Sequence, residues 1–173
     1  GPSTESITIE GNGHTITFNQ LNSDWSNITT ENNAKLIINN AHITNSGYND
    51  GPWNRHDLNF ACDVELNDVT TDKAIALKAA GTLKNVTISD ANTSDTYAIW
   101  IQPNGQTVSV DGCLIDMLDC SDGRGIKIDE QYVGDAVAKV TLNVNDLKVK
   151  SQNKAAIMVK SKAGADINIK NID

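Results

Sequence analysis

Aromatic side chains are scarce in this chain: phenylalanine, tyrosine and tryptophan make up 5% of its 173 residues, against 39% hydrophobic residues in all. A core must therefore be built from aliphatic side chains, and stacked rows of aliphatics suit a repeating architecture better than a globule. Basic residues are short as well. Fourteen Lys and Arg against 22 Asp and Glu leave a net charge of -8, which repels phosphate backbones and anionic lipid surfaces and sets nucleic acid aside as a partner. No run of eighteen apolar residues occurs, so no membrane insertion by a helix is expected. Nor does any stretch of useful length carry the spacing of an amphipathic helix. Three cysteines cannot all pair within one chain, and no Cys/His spacing resembles a zinc site, so neither a metal nor a cofactor is expected.

What the sequence does contain is one short phrase, four times over. Ala74-Ile75-Ala76-Leu77-Lys78, Ala98-Ile99-Trp100-Ile101-Gln102, Gly125-Ile126-Lys127-Ile128-Asp129 and Ala156-Ile157-Met158-Val159-Lys160 each run small, apolar, variable, apolar, polar. That is the period-two pattern of a strand with one buried face. The isoleucines Ile75, Ile99, Ile126 and Ile157 lie 24, 27 and 31 residues apart, a spacing that signals a repeat architecture.

A second phrase, an apolar residue, any residue, then Asn, Asp or Gly, recurs between these copies. It begins at Gly11-Asn12-Gly13 and returns at Ile38-Asn39-Asn40, Leu66-Asn67-Asp68, Leu83-Lys84-Asn85, Val110-Asp111-Gly112, Val144-Asn145-Asp146 and Ile169-Lys170-Asn171. Asn, Asp and Gly share tolerance of left-handed backbone angles, so each phrase predicts a sharp bend between two short strands. Joined through turns such as Ala79-Ala80-Gly81, Pro103-Asn104-Gly105 and Lys162-Ala163-Gly164, the two phrases make one unit: strand, turn, strand, bend, strand. The unit fits one coil of a single-stranded parallel β-helix. Twenty-one asparagines agree with it, and about six coils at about 4.8 Å each would form a rod roughly 30 Å long. In this arrangement Ile75, Ile99, Ile126 and Ile157 form one inward ladder, and Leu77, Ile101, Ile128 and Val159 its neighbour. Cys113 takes the place of Val69, Val86 and Leu147 and is read as a small buried apolar residue, with a Cys113–Cys120 bridge left open. Gly1-Pro2-Ser3 reads as the scar of a cleaved tag, and the domain as residues 4–173.

Alternation then sends Trp100 outward, in a column with Ala76, Lys127 and Met158. An exposed indole offers a flat apolar platform for a sugar ring, which makes Trp100, Lys127 and Met158 candidate ligand contacts. Residues 45–57 are too long and polar for a bend and are expected to project from the rod, where Tyr48, Trp53, Arg55 and His56 supply the residue types that recognition surfaces favour. Trp25 is read as a cap or corner residue. Residues 116–130 hold the one concentration of acids and bases, including Asp116, Asp119, Asp122, Arg124, Lys127, Asp129 and Glu130. The last residues, Ile169-Lys170-Asn171-Ile172-Asp173, lie within a bend-containing strand, and the chain is therefore expected to be a fragment of a longer protein or to associate through open ends.

The opening "GNGHTITF", the strands "AIWIQ", "GIKID" and "AIMVK" and the bend strands "VSVDGC" and "LNVNDL" resemble the right-handed parallel β-helix proteins of the pectate-lyase-like superfamily, especially the asparagine-rich repeats of secreted bacterial and phage-borne surface proteins. The resemblance implies an all-β, right-handed solenoid at an extracellular, cell-surface or virion location. This fold hosts lyases, hydrolases, tailspikes, adhesins and stalks, so activity must come from the site. The polygalacturonase motifs are broken here: a glycine interrupts Arg124-Gly125-Ile126-Lys127, Gly13-His14 is followed by threonine, and no Asp-Asp pair occurs. The expectation is thus a non-catalytic module that recognises glycan or host-surface ligands. A polysaccharide lyase or hydrolase using residues 116–130 is the alternative, and a purely structural stalk or assembly module the second alternative.

Overall fold

The computed structural model of the chain describes residues 5–19, 27–46, 58–89, 97–120, 123–130, 138–152 and 154–173. They form an all-β structure in which every strand pair is parallel and the single helical element is a short 3-10 turn at Glu31–Asn33. Two sheets are built in alternation. The larger has eleven strands: β1 (Ser6–Glu10), β2 (Thr15–Phe18), β3 (Lys35–Asn45), β5 (Val64–Thr71), β7 (Gly81–Lys84), β8 (Thr87–Ser89), β10 (Thr107–Asp111), β11 (Leu114–Asp116), β13 (Val140–Asn145), β14 (Lys148–Lys150) and β16 (Ala165–Ile169). The smaller is β4 (Leu58–Phe60), β6 (Ile75–Leu77), β9 (Tyr97–Ile101), β12 (Arg124–Ile128) and β15 (Ile157–Val159). One pass from a strand to its paired successor takes between 17 residues, Val64 to Gly81, and 34 residues, Val108 to Leu142.

The bends of the larger sheet follow from backbone chemistry. Asn12, Asn40, Asp68, Asn85, Gly112 and Asp146 all have left-handed φ, between 48° and 63°; of the seven predicted bends only Asn171 does not. Each such residue resets the side-chain alternation. In β3 the buried residues run Leu36, Ile38, then Ala41 and Ile43, so the corner residue Asn40 absorbs a step that would otherwise turn the apolar set outward. The same step recurs at Leu66 to Val69, Leu83 to Val86, Val110 to Cys113 and Val144 to Leu147, all buried. Inside the corners the register stacks Ile9, Ile38, Leu66, Leu83, Val110, Val144 and Ile169 in one row. Outside, asparagines bond along the stack: Asn67 Nδ2 to Asn39 Oδ1 at 2.9 Å, Asn85 Nδ2 to Asp68 Oδ1 at 3.0 Å and Asn171 Nδ2 to Asp146 Oδ1 at 2.7 Å.

The two predicted isoleucine and aliphatic ladders form in the smaller sheet with the expected register. A fifth member precedes them, because β4 adds Leu58 and Phe60 to the same rows. In one copy the small residue of the phrase is required by space. At Gly125 a Cβ atom would lie 2.3 Å from the Ala156 carbonyl oxygen, so even alanine forces the backbone to move. Side chains from both sheets share one core. Burial fades at the two ends of the stack, with Ile7 at one end and Val159, Ile169 and Ile172 at the other exposed.

The corner model separates two substitutions at Asn85 that remove the same side-chain bond. Asn85→Ala keeps a Cβ atom, and its clash with the backbone carbonyl, on a left-handed residue and is expected to lower stability by about 1–2 kcal/mol more than Asn85→Gly, read from urea midpoints. Equal midpoints for the two variants would show that the left-handed geometry does not limit the substitution.

Candidate functional site

The outward column of the smaller sheet forms in the predicted register: Asn59, Ala76, Trp100, Lys127 and Met158 stand side by side. Its surface character differs from expectation. Trp100 is 3% exposed and Lys127 is 6% exposed, so neither is an open platform. Alternation decides which face a side chain leaves by, and this face is covered. The indole Nε1 donates to the Asp129 backbone oxygen at 3.0 Å, and its ring leans on Tyr97 at 5.9 Å between centroids. The Lys127 ammonium lies 5.4 Å from the Tyr97 ring centroid and 2.9 Å from Asp129 Oδ2. Aromatic faces, an ammonium and a carboxylate thus form one internal cluster, an arrangement that fixes the strand ends rather than presenting them. Met158, at the end of the column, is half-buried.

The remaining sequence candidates do not gather around it. Tyr48, Trp53, Arg55 and His56 lie outside the described residues, as does Trp25. The charges of residues 116–130 are dispersed onto separate partners. Asp116 is bound by Lys150 at 2.8 Å, Asp129 by Lys127, and Glu130 accepts from Ser161 Oγ at 2.8 Å and from the Lys162 backbone N–H at 2.9 Å. Asp122 is outside the described residues, and among those described no three His, Cys, Asp or Glu side chains come together as metal ligands. The hydrogen bond from Lys150 is the main reason the Asp116 carboxyl is held below its ordinary pKa. Cys113 and Cys120 are both free thiols, so the bridge left open in the sequence does not form. Burial pushes the Cys113 thiol up; its sulfur sits 3.4 Å from the Val86 backbone nitrogen and 3.5 Å from the Leu83 oxygen. A thiol held protonated in this way is a packing residue, not a nucleophile.

A different surface has the features of a binding site. On the outer face of β10, β13 and β16 an open groove of about 700 Å³ is lined by Ser109, Asp111, Asn143, Asn145, Asn168 and Lys170, with the strand backbones between them. Register creates it. Ser109, Asn143 and Asn168 form one polar column and the residues just before each corner, Asp111, Asn145 and Lys170, form the next. Asn168 Nδ2 donates to Asn143 Oδ1 at 2.9 Å, and Asn145 Nδ2 to Asp111 Oδ1 at 2.6 Å. The carboxylate fixes the second amide, because only its nitrogen can face Asp111. Asn145 Oδ1 is consequently left buried with no hydrogen-bond partner among the described residues, at a cost to the fold. The sequence reading used these strands to place bends and missed the surface between them. The signal was present as the polar residues alternating with Val108, Val110, Leu142, Val144, Ile167 and Ile169. Compared with protein-family models, curated proteins and solved structures, the chain matches none.

Two predictions follow from these charge pairs. Lys127→Met strands the buried Asp129 carboxylate and is expected to cost about 3–5 kcal/mol, read by denaturant unfolding; a loss no larger than that of an exposed lysine would contradict the buried-pair reading. For Asp116, a folded pKa held below the unfolded one contributes stability that is present above the unfolded value and lost as pH falls through the folded value. Lys150→Met should therefore raise the Asp116 pKa in a carboxyl NMR titration and flatten the loss of stability from about pH 4 downward. An unmoved Asp116 titration would dismiss Lys150 as its cause.

Proposed function

We propose that the chain is a right-handed parallel β-helix of about six coils and serves as a non-catalytic surface module that recognises glycan ligands, at an extracellular, cell-surface or virion location. The all-parallel pairing and the left-handed corners at six of the seven bends support the architecture. The observation that carries the function is the groove over β10, β13 and β16. It offers a hydroxyl, three amides, a carboxylate and an ammonium in two columns. Sugars display hydroxyls that both donate and accept, and side-by-side amides match that chemistry better than a single charge does. The net charge of -8 disfavours polyanionic chains and points to neutral or amino-bearing glycans. The buried Trp100 leaves this reading without an exposed stacking platform among the described residues, so hydrogen bonds carry it.

The test is a glycan array with the intact chain, with and without calcium, followed by titration calorimetry of any hit with Asn143→Ala and Asn168→Ala. Selective, calcium-independent binding is expected, weakened about three- to tenfold by each variant. A blank array would remove the glycan reading and favour a stalk. Binding that both variants leave unchanged would move the site elsewhere. Calcium-dependent release of unsaturated product from an acidic polysaccharide would instead establish lyase chemistry.

A further inference from the structure

The two ends of the larger sheet are complementary to each other. Among the described residues β1 pairs on one side only, with β3, and β16 on one side only, with β13. Each therefore presents an unpaired parallel edge, and Ile7 on the first and Ile169 on the last are 44% and 50% exposed. Laid in parallel, the sequences agree position by position. Ile167 meets Ile7 and Ile169 meets Ile9, continuing the two inward rows; Asn168 meets Thr8 outside; and Lys170 meets Glu10, continuing the column just before the corners with opposite charges. We infer that the β16 edge accepts the β1 edge of a second copy of this chain, giving head-to-tail association through a continued parallel sheet.

The geometry supports this partner over an arbitrary strand. Every pair in the stack is parallel, so β1 of a second copy adds to β16 with the direction and twist the sheet already has. A slip of one residue would point Ile7 and Ile9 outward and set Glu10 away from Lys170, so the register is specified. The contact is heterologous, since one end meets the other, and it propagates rather than closing on a dimer. Only the larger sheet is continued by the pairing, which keeps the junction small and the association reversible. The inference does not depend on glycan binding, although it would lengthen the polar face that carries the groove.

Sedimentation of the 173-residue chain over a wide concentration range tests it. A mass that rises with concentration through dimer and larger species is expected. Lys170→Glu alone and Glu10→Lys alone should each weaken association roughly three- to tenfold by placing like charges opposite one another, and the combined Glu10→Lys/Lys170→Glu chain should recover it. Circular dichroism establishes that each variant keeps its strand content. A monomer at all concentrations, a closed dimer, or single reversals that associate as the parent does would each overturn the inference. Weakening by both single variants without recovery in the double variant would overturn the assigned register.

Discussion

The left-handed residues at its corners are the constraint on which the larger sheet depends. A strand that simply continued would keep its strict alternation, and a chain that bent without compensation would send its apolar residues to solvent on the far side of the bend. At Asn40, Asp68, Asn85, Gly112 and Asp146 the positive φ turns the chain and skips one alternation step, so the apolar set faces inward on both sides. The residue types at these corners follow from the backbone. Only Gly, and more rarely Asn or Asp, adopts this conformation at low cost, and where two corners stack, the amide of Asn85 can also bond the carboxylate of Asp68. At Gly112 a second reason appears, because a Cβ there would lie 2.6 Å from Asn85 Oδ1.

The corners align each pass with the one before it, and alignment turns single residues into columns. Inside, the columns are aliphatic and interchangeable: Cys113 fills the place of Val86 and Leu147, and Ile, Leu and Val alternate along the other rows. Outside, the two sheets diverge. The smaller sheet's outward column is closed over, with Trp100, Lys127, Asp129 and Tyr97 satisfying one another in a buried cluster. The larger sheet's outward columns stay accessible around Ser109, Asn143 and Asn168. The same period-two rule therefore yields a buried outer face on one sheet and an accessible polar face on the other.

Much of the fold was legible because it rests on local rules. The corner residues were readable from their type, and the ladder of Ile75, Ile99, Ile126 and Ile157 from its spacing. Leu58 to Phe60 was not recognised as an earlier member of that ladder, because Asp57 stands where the other copies have Ala or Gly and an aromatic replaces the second aliphatic. The fate of Trp100 was not legible for a deeper reason. Alternation assigns a face but not what lies against it, and here the indole is buried and bonds a backbone oxygen 29 residues later. The groove was hidden in the opposite way: its residues are unremarkable singly, and only the register places Ser109 beside Asn143 and Asn168.

This distinction bears on where function can reside in such a chain. An inward row tolerates any aliphatic of suitable volume, so its composition carries little information beyond the fold. The outward columns of the larger sheet are under less packing demand, and there Asp111, Asn145 and Lys170 bring a carboxylate, an amide and an ammonium into one line. Satisfying Asp111 through the Asn145 nitrogen necessarily turns the Asn145 oxygen away from it, and no donor among the described residues faces it. The outward columns thus differ from the inward rows in kind: their residues are set by polar pairing along the stack and not by volume.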